Sequence, residues 1–256
     1  MKLHHIVVTI AAVATLGGVA RAADNENSPP ARQSLSGPTG LISLPTAYTQ
    51  KHKAGGVNGN FYQDEIGGTI TETVAFSGVY GFTPRVEGGF FYNRRYNQAV
   101  AQNSAGGFVK YVLNPEGENQ PAFAFGVAGG GGDHSPASAY LVISRLVSKP
   151  DTKNLLSLHG GLEYASLRNY PASPTAARSD VQPFGGFELT IAPRTSLVGE
   201  VRPKHKYESK TYFSAGLSHV FGKTFTVTAG ATNNGLGQGM RPLVMAGFNF
   251  ALPASR

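Results

Sequence analysis

The stretch TFTVTAGAT at residues 224–232 decides the fold. Its side chains alternate, so that Phe225, Val227 and Ala229 share one face while threonines occupy the other. A period of two is typical of a β-strand, because successive side chains point to opposite faces of a sheet. One face therefore suits an apolar surrounding, and the other suits a polar interior.

The same alternation recurs along most of the chain. Twelve segments of about ten residues, long enough to cross a bilayer at a tilt, lie near residues 55–63, 69–80, 85–95, 105–113, 121–130, 138–147, 155–165, 181–192, 195–203, 211–221, 224–232 and 241–250. Most of the turns between them are alternately short and long. We therefore predict an all-β fold, a closed antiparallel transmembrane β-barrel of about 12 strands at 55–250, with short periplasmic turns and longer extracellular loops.

The composition agrees with this prediction. Glycine accounts for 33 of 256 residues, only 14% of residues are charged, and no run of 18 apolar residues follows residue 22. The absence of cysteine excludes disulfides, thiolate catalysis and thiolate zinc sites. The alternative is a soluble sandwich or lipocalin-like barrel, but its interior would hold larger, branched side chains than the Gly, Ser and Thr found here.

The N-terminal residues of the chain predict export. Residues 1–22 resemble a signal peptide, with a polar start, an apolar stretch at 6–16 and small residues before the expected cleavage site. Residues 23–36 are predicted to form a flexible linker, and 251–256 a C-terminal tail. We expect the outer membrane of a Gram-negative bacterium, contacts with its lipid and lipopolysaccharide, and no nucleic-acid partner.

Residues 37–54 form an entry segment before the first strand. Their stretch GLISLPTA at 40–47 resembles the GLxxxPTA opening of YjbH-like outer-membrane β-barrels, on the residues Gly40, Leu41, Pro45, Thr46 and Ala47. The resemblance implies a minimal single-barrel member of that family, with a role in exopolysaccharide production, and it carries over no catalytic residue. The segment either enters or caps the periplasmic mouth, or is a simple turn leading into the first strand.

Charged residues are predicted on the polar, inward face. Unpaired charges there are costly, so we expect ion pairs across the lumen and a mostly filled interior. A narrow polar path is the alternative. The predicted network consists of Arg85, Glu87, Arg95, Lys110, Glu163, Glu188, Glu200 and Arg202.

Two further groups are predicted to bind partners. An external basic patch would contact lipopolysaccharide phosphates or an acidic polysaccharide, and consists of Arg94, Lys204, His205, Lys206 and Lys210. In the last strand, Gly247, Phe248 and Phe250 resemble the terminal signal that the barrel assembly machinery recognises.

The sequence gives little support to an enzyme. Asp133 and His134 are adjacent in one loop, and His159 stands alone on the inward face. We predict no catalytic residue, metal or cofactor. The main hypothesis is a non-enzymatic outer-membrane barrel that assists exopolysaccharide export or envelope organisation, together with envelope secretion proteins. The alternatives are a porin-like channel for small or anionic solutes and a membrane-embedded hydrolase.

Overall fold

The computed structural model describes residues 32–35, 37–66, 69–96, 101–133, 135–148, 154–168, 178–204, 210–222, 224–233 and 239–251. The predicted signal peptide and nearly all of the C-terminal tail lie outside these ranges. The twelve strands are β1 (Ala54–Ile66), β2 (Thr69–Thr83), β3 (Val86–Tyr96), β4 (Ala101–Asn114), β5 (Ala122–Gly132), β6 (Ser135–Leu146), β7 (Leu156–Arg168), β8 (Arg178–Ala192), β9 (Thr195–Arg202), β10 (Tyr212–Phe221), β11 (Phe225–Thr232) and β12 (Arg241–Ala251). Within the described ranges, no helix is long and apolar enough to cross a membrane.

The strands close into one antiparallel barrel. Each pairs with its neighbours in sequence, and β1 pairs with β12 from Ala54↔Ala251 to Tyr62↔Leu243. Closure leaves no sheet edge, which matters because unpaired backbone groups are costly in lipid. The predicted fold class is confirmed.

The two faces of the barrel differ as the alternation predicts. The outward side chains of Phe76 and Phe90 are 53% and 56% exposed, whereas the inward Thr73 and Ser77 are buried. Exposed aromatic rings in these numbers suit a lipid surrounding rather than water.

The connections define the two ends of the barrel. The short-turn end carries the chain's entry into β1, the end of β12, turns at 84–85, 193–194 and 222–224, and two longer connections at 115–121 and 147–155. At the opposite, loop end, connections of eight or nine residues follow β7, β9 and β11. The loops expected after β3 and β5 are shorter than predicted, because the ladder continues to Tyr96↔Ala101 and the glycines of β5 remain paired as far as Gly132.

Leu141 provides a test of the outward face. It lies midway along the barrel wall, is 56% exposed, and pairs with Phe125 and Leu162. Leu141→Arg is expected to lower the free energy of unfolding by about 2–4 kcal/mol, because a cation near mid-bilayer is poorly solvated. Ile191 also faces outward but lies at the short-turn end of β8, so Ile191→Arg is expected to lower the free energy of unfolding by about 0–1 kcal/mol. Urea unfolding in lipid vesicles measures both, and equal losses would contradict this placement.

Candidate functional site

Residues 32–35 and 37–50, together called here the inner segment, lie inside the barrel. The segment folds back on itself through the bridges Gln33↔Thr39 and Gly40↔Pro45, and its tip is Leu41–Leu44. Gly40 is required at the fold, because a Cβ there would lie 2.3 Å from the carbonyl oxygen of Leu44. The predicted flexible linker is therefore wrong over residues 32–35, which are buried in the lumen.

A fully buried ion pair holds both arms of the inner segment. Glu87 on β3 and Lys110 on β4 are register partners, with Nζ 2.8 Å from Oε1. The Lys110 ammonium donates to the carbonyl oxygens of Thr39 (2.9 Å), Thr46 (3.2 Å) and Tyr48. The pair is thus neutral overall, and its remaining hydrogen-bonding capacity is directed at the backbone of the segment.

The Glu87 carboxylate also binds both arms of the inner segment, and the Glu87–Lys110 pair is called here the clamp. It accepts hydrogen bonds from the amide and hydroxyl of Thr39, at 2.8 and 2.6 Å, and from the amide of Gln50 at 2.8 Å. Thr39 and Gln50 lie on opposite sides of the tip. One side chain therefore ties together the two arms of the fold.

Glu200 on β9 holds the tip. Its carboxylate accepts from the amides of Ile42 (3.2 Å), Ser43 (2.9 Å) and Leu44 (3.1 Å), from the Ser43 hydroxyl (2.7 Å) and from the Tyr212 phenol. Successive amides that converge on one point form a concave anion site. Among the described residues, no Lys, Arg or His nitrogen lies within 4.0 Å of this carboxylate.

Two further wall contacts hold the ends of the segment. The Arg32 guanidinium forms an ion pair with Glu188 on β8. The Ala47 amide donates to the Ser144 hydroxyl on β6 at 2.8 Å. Next to it, the Tyr48 phenol donates to Glu116 at 2.9 Å, and burial followed by the nearby Glu116 charge raises the pKa of Tyr48.

Ser144 and His159 form a contact that bears on the hydrolase hypothesis. The hydroxyl lies 2.8 Å from Nδ1 of the imidazole, on the neighbouring strand. A catalytic triad needs an acid on the other ring nitrogen, but His159 Nε2 has no hydrogen-bond partner within the described residues. The pair instead supports the Ala47 amide.

Apolar packing closes the remaining space. Leu44 and Ala47 pack against side chains of β4, β5, β6 and β8, and Leu41 and Ile42 pack against Val198, Leu243 and Met245. Near the short-turn end there is a cavity of about 20 Å³, lined in part by Arg32, Thr226 and Asn249. Such a space holds about one water molecule. In this structure the inner segment fills the lumen.

The predicted site residues are distributed as follows. The five entry-motif residues, Gly40, Leu41, Pro45, Thr46 and Ala47, all lie in the inner segment and are buried. The predicted lumen residues face inward except Arg85, which is in the turn at 84–85.

The partners of the lumen charges differ from the prediction. Among the described residues, Glu163 and Arg202, 3.9 Å apart on strands that are not neighbours, are the one wall pair that resembles the expected pairing across the lumen. Glu87 pairs with its immediate neighbour, and Glu188 and Glu200 are bound by the inner segment. The expectation of pairs across the lumen is wrong for these three because a chain segment occupies the space between the walls.

The described members of the predicted basic patch, Arg94, Lys204 and Lys210, lie at two separate places. Arg94 lies on the outer side of β3, 4.9 Å from the centre of the Tyr96 ring, whereas Lys204 and Lys210 are exposed beside the connection from β9 to β10. In the ring of twelve strands, β3 and β9 lie opposite each other. His205 and Lys206 lie outside the described residues. Of the terminal motif, Gly247 faces inward, while Phe248 and Phe250 face outward.

The comparisons with known proteins agree with this architecture. No protein-family model matches the chain, and no curated protein matches its sequence. Among solved structures, the chain is similar to the KdgM porin in complex with disordered oligogalacturonate (14% identity, 77% of this chain and 99% of that one, TM-score 0.51). It is also similar to the NanC porin (11% identity, 77% and 100%, TM-score 0.51). At such identities the likeness concerns the fold, and with the closed twelve-stranded structure it shows that this chain has the fold of an outer-membrane β-barrel.

Proposed function

We propose that the protein is a porin-like channel for small hydrophilic solutes, closed in this structure by the inner segment. The observation that carries the proposal is that the chain's own residues 32–50, rather than side chains of the wall, fill the lumen. The barrier is thus a single connected segment, held by hydrogen bonds and by the packing of its apolar side chains.

The inward side chains of the wall are too small to fill the lumen of such a barrel by themselves. Side chains can just fill an eight-stranded barrel, and the interior widens with each added strand. In this twelve-stranded barrel, many of the inward residues are small, including Ala122, Ala124, Gly126, Ser157, Ser214, Gly216, Ser218, Thr226 and Thr228. Withdrawal of the inner segment would therefore leave a water-filled path.

The geometry of the segment favours withdrawal as a unit. Its C-terminal arm leads to β1 at the short-turn end, where the Lys53 amide donates to the Gly81 carbonyl at 2.9 Å. Its N-terminal residues, Arg32 and Gln33, line the cavity beside Thr226 and Asn249 near the same end. Because both arms reach the same mouth, the segment can leave without threading through the barrel.

Deletion of residues 32–50 tests the proposal. We expect the folded deletion variant to conduct steadily in a planar bilayer, and the full chain to conduct far less, because the lumen of the full chain is filled. A control variant lacking residues 23–31 keeps the inner segment and should resemble the full chain. Circular dichroism confirms folding in each case. A folded but silent deletion variant, or a full chain that conducts equally, would overturn the proposal.

A second candidate function rests on the GLxxxPTA resemblance. The stretch that carries it, residues 40–47, is the tip region of the inner segment, which would connect the YjbH-like motif with opening of the lumen. On this hypothesis the barrel assists export of an acidic exopolysaccharide. The test of the export hypothesis is the amount of polysaccharide exported by a host that lacks the protein. The host is complemented with the full chain or with the 32–50 deletion variant. Unchanged export in all strains would exclude the export hypothesis and leave the solute channel.

A further inference from the structure

We infer that the opened lumen is selective for cations, with Glu188 and Glu200 as the residues that determine the selectivity. This inference rests on the proposed channel function and specifies the solutes that the channel would favour. The expected cation selectivity depends on which charged residues of the wall keep their ion-pair partners when the inner segment leaves.

Two ion pairs belong to the wall itself. Glu87 and Lys110 are 2.8 Å apart on neighbouring strands, and Glu163 and Arg202 are 3.9 Å apart. Neither pair needs the inner segment for its compensation. Each contributes little net charge to an open pore.

Two carboxylates do depend on the inner segment. Glu188 is paired with Arg32, which departs with the segment. Glu200 is bound by three amides and one hydroxyl of the tip, and after withdrawal it keeps the Tyr212 phenol as a donor. Among the described residues, opening therefore uncovers two carboxylates and no matching cation in the same part of the wall.

These carboxylates lie close together on the lumen wall. Glu188 pairs in register with Val198, and Glu200 pairs with Gly186, so the two side chains lie on adjacent strands two register positions apart. Among the side chains that the structure describes, the inward cations Arg95 and Arg241 lie near the loop end. Charged side chains lining a narrow pore set its ion selectivity, because they act at short range with little screening. The pore wall should therefore attract cations and repel anions.

Reversal potentials of the 32–50 deletion variant in a KCl gradient test this inference. We expect a potassium-to-chloride permeability ratio of about 3 or more, and a ratio of about 1 after adding Glu188→Gln and Glu200→Gln. Glu72→Gln removes an exposed carboxylate on the outer side of β2 and is the matched control, expected to leave the ratio unchanged.

The outcomes separate this inference from the proposed function. A folded deletion variant that does not conduct overturns both. A conducting pore that prefers chloride, as a channel for acidic solutes would, overturns the selectivity and leaves the channel. Cation preference that survives both glutamine substitutions shows that other residues determine it, and also overturns the inference.

Discussion

Replacement of Lys110 by Met is expected to release the inner segment and to lower the free energy of unfolding by about 3–5 kcal/mol, the usual loss when one partner of a buried ion pair is removed. Both Lys110 and Glu87 are fully buried. The substitution leaves the Glu87 carboxylate without its cation and the carbonyls of Thr46 and Tyr48 without the Lys110 donor, whereas the Thr39 carbonyl keeps the Thr46 amide as a donor. Urea unfolding followed by circular dichroism measures the stability, since the chain has no tryptophan.

Two controls separate the charge from the packing. In the Glu87→Gln, Lys110→Met double variant no uncompensated charge is buried, so the loss should be smaller than for Lys110→Met alone. Lys204→Met removes an exposed lysine and should change stability by about 0.5 kcal/mol or less. Trypsin should cut after Arg32 faster in Lys110→Met, because Arg32 is buried in the docked segment and its release would expose the cleavage site. Equal cutting rates would show that the clamp does not hold the segment.

Glu200→Ala is expected to free the tip of the segment. The substitution removes the acceptor of three consecutive amides, and each buried amide left without an acceptor costs about 1–3 kcal/mol. We therefore expect the free energy of segment docking to fall by about 3 kcal/mol or more. The measurement is the rate at which a thiol reagent labels Ser43→Cys, in a chain that otherwise lacks cysteine.

Tyr212→Phe is the matched variant for the tip. It removes one hydrogen bond to Glu200 and leaves the acceptor of the three amides in place. Labelling at Ser43→Cys should therefore rise far less than with Glu200→Ala. If both variants labelled as slowly as the parent, the carboxylate would not be what holds the tip.

The strands were predictable because their signal is local. The alternation at 224–232 appears in consecutive residues, and β11 spans Phe225–Thr232. The inward direction of Glu87, Lys110 and Glu200 follows from the same parity. The two shortened loops were not predictable, because their polar and glycine-rich residues are typical of turns, and only the register shows that they continue the ladder.

The partners of the lumen charges were not predictable, because they depend on contacts between distant parts of the chain. Glu200 contacts residues about 157 positions earlier, mostly through backbone amides that have no sequence signal. Arg32 belongs to a polar stretch that is typical of a linker. Tyr212 was the nearest to a detectable partner, since its parity on β10 places it on the inward face, beside Glu200 in the register Ser214↔Glu200.

The shared mouth of the two arms has a consequence for the order of folding. The ribosome makes residues 32–50 before any strand, yet every wall residue that holds them belongs to strands made later. Because the fold needs no threading, β1 can join β12 first, and the segment can dock afterwards from the mouth. Docking should then be a late unimolecular phase, separate from membrane insertion, so that a segment synthesised before every strand is the last to reach its native place.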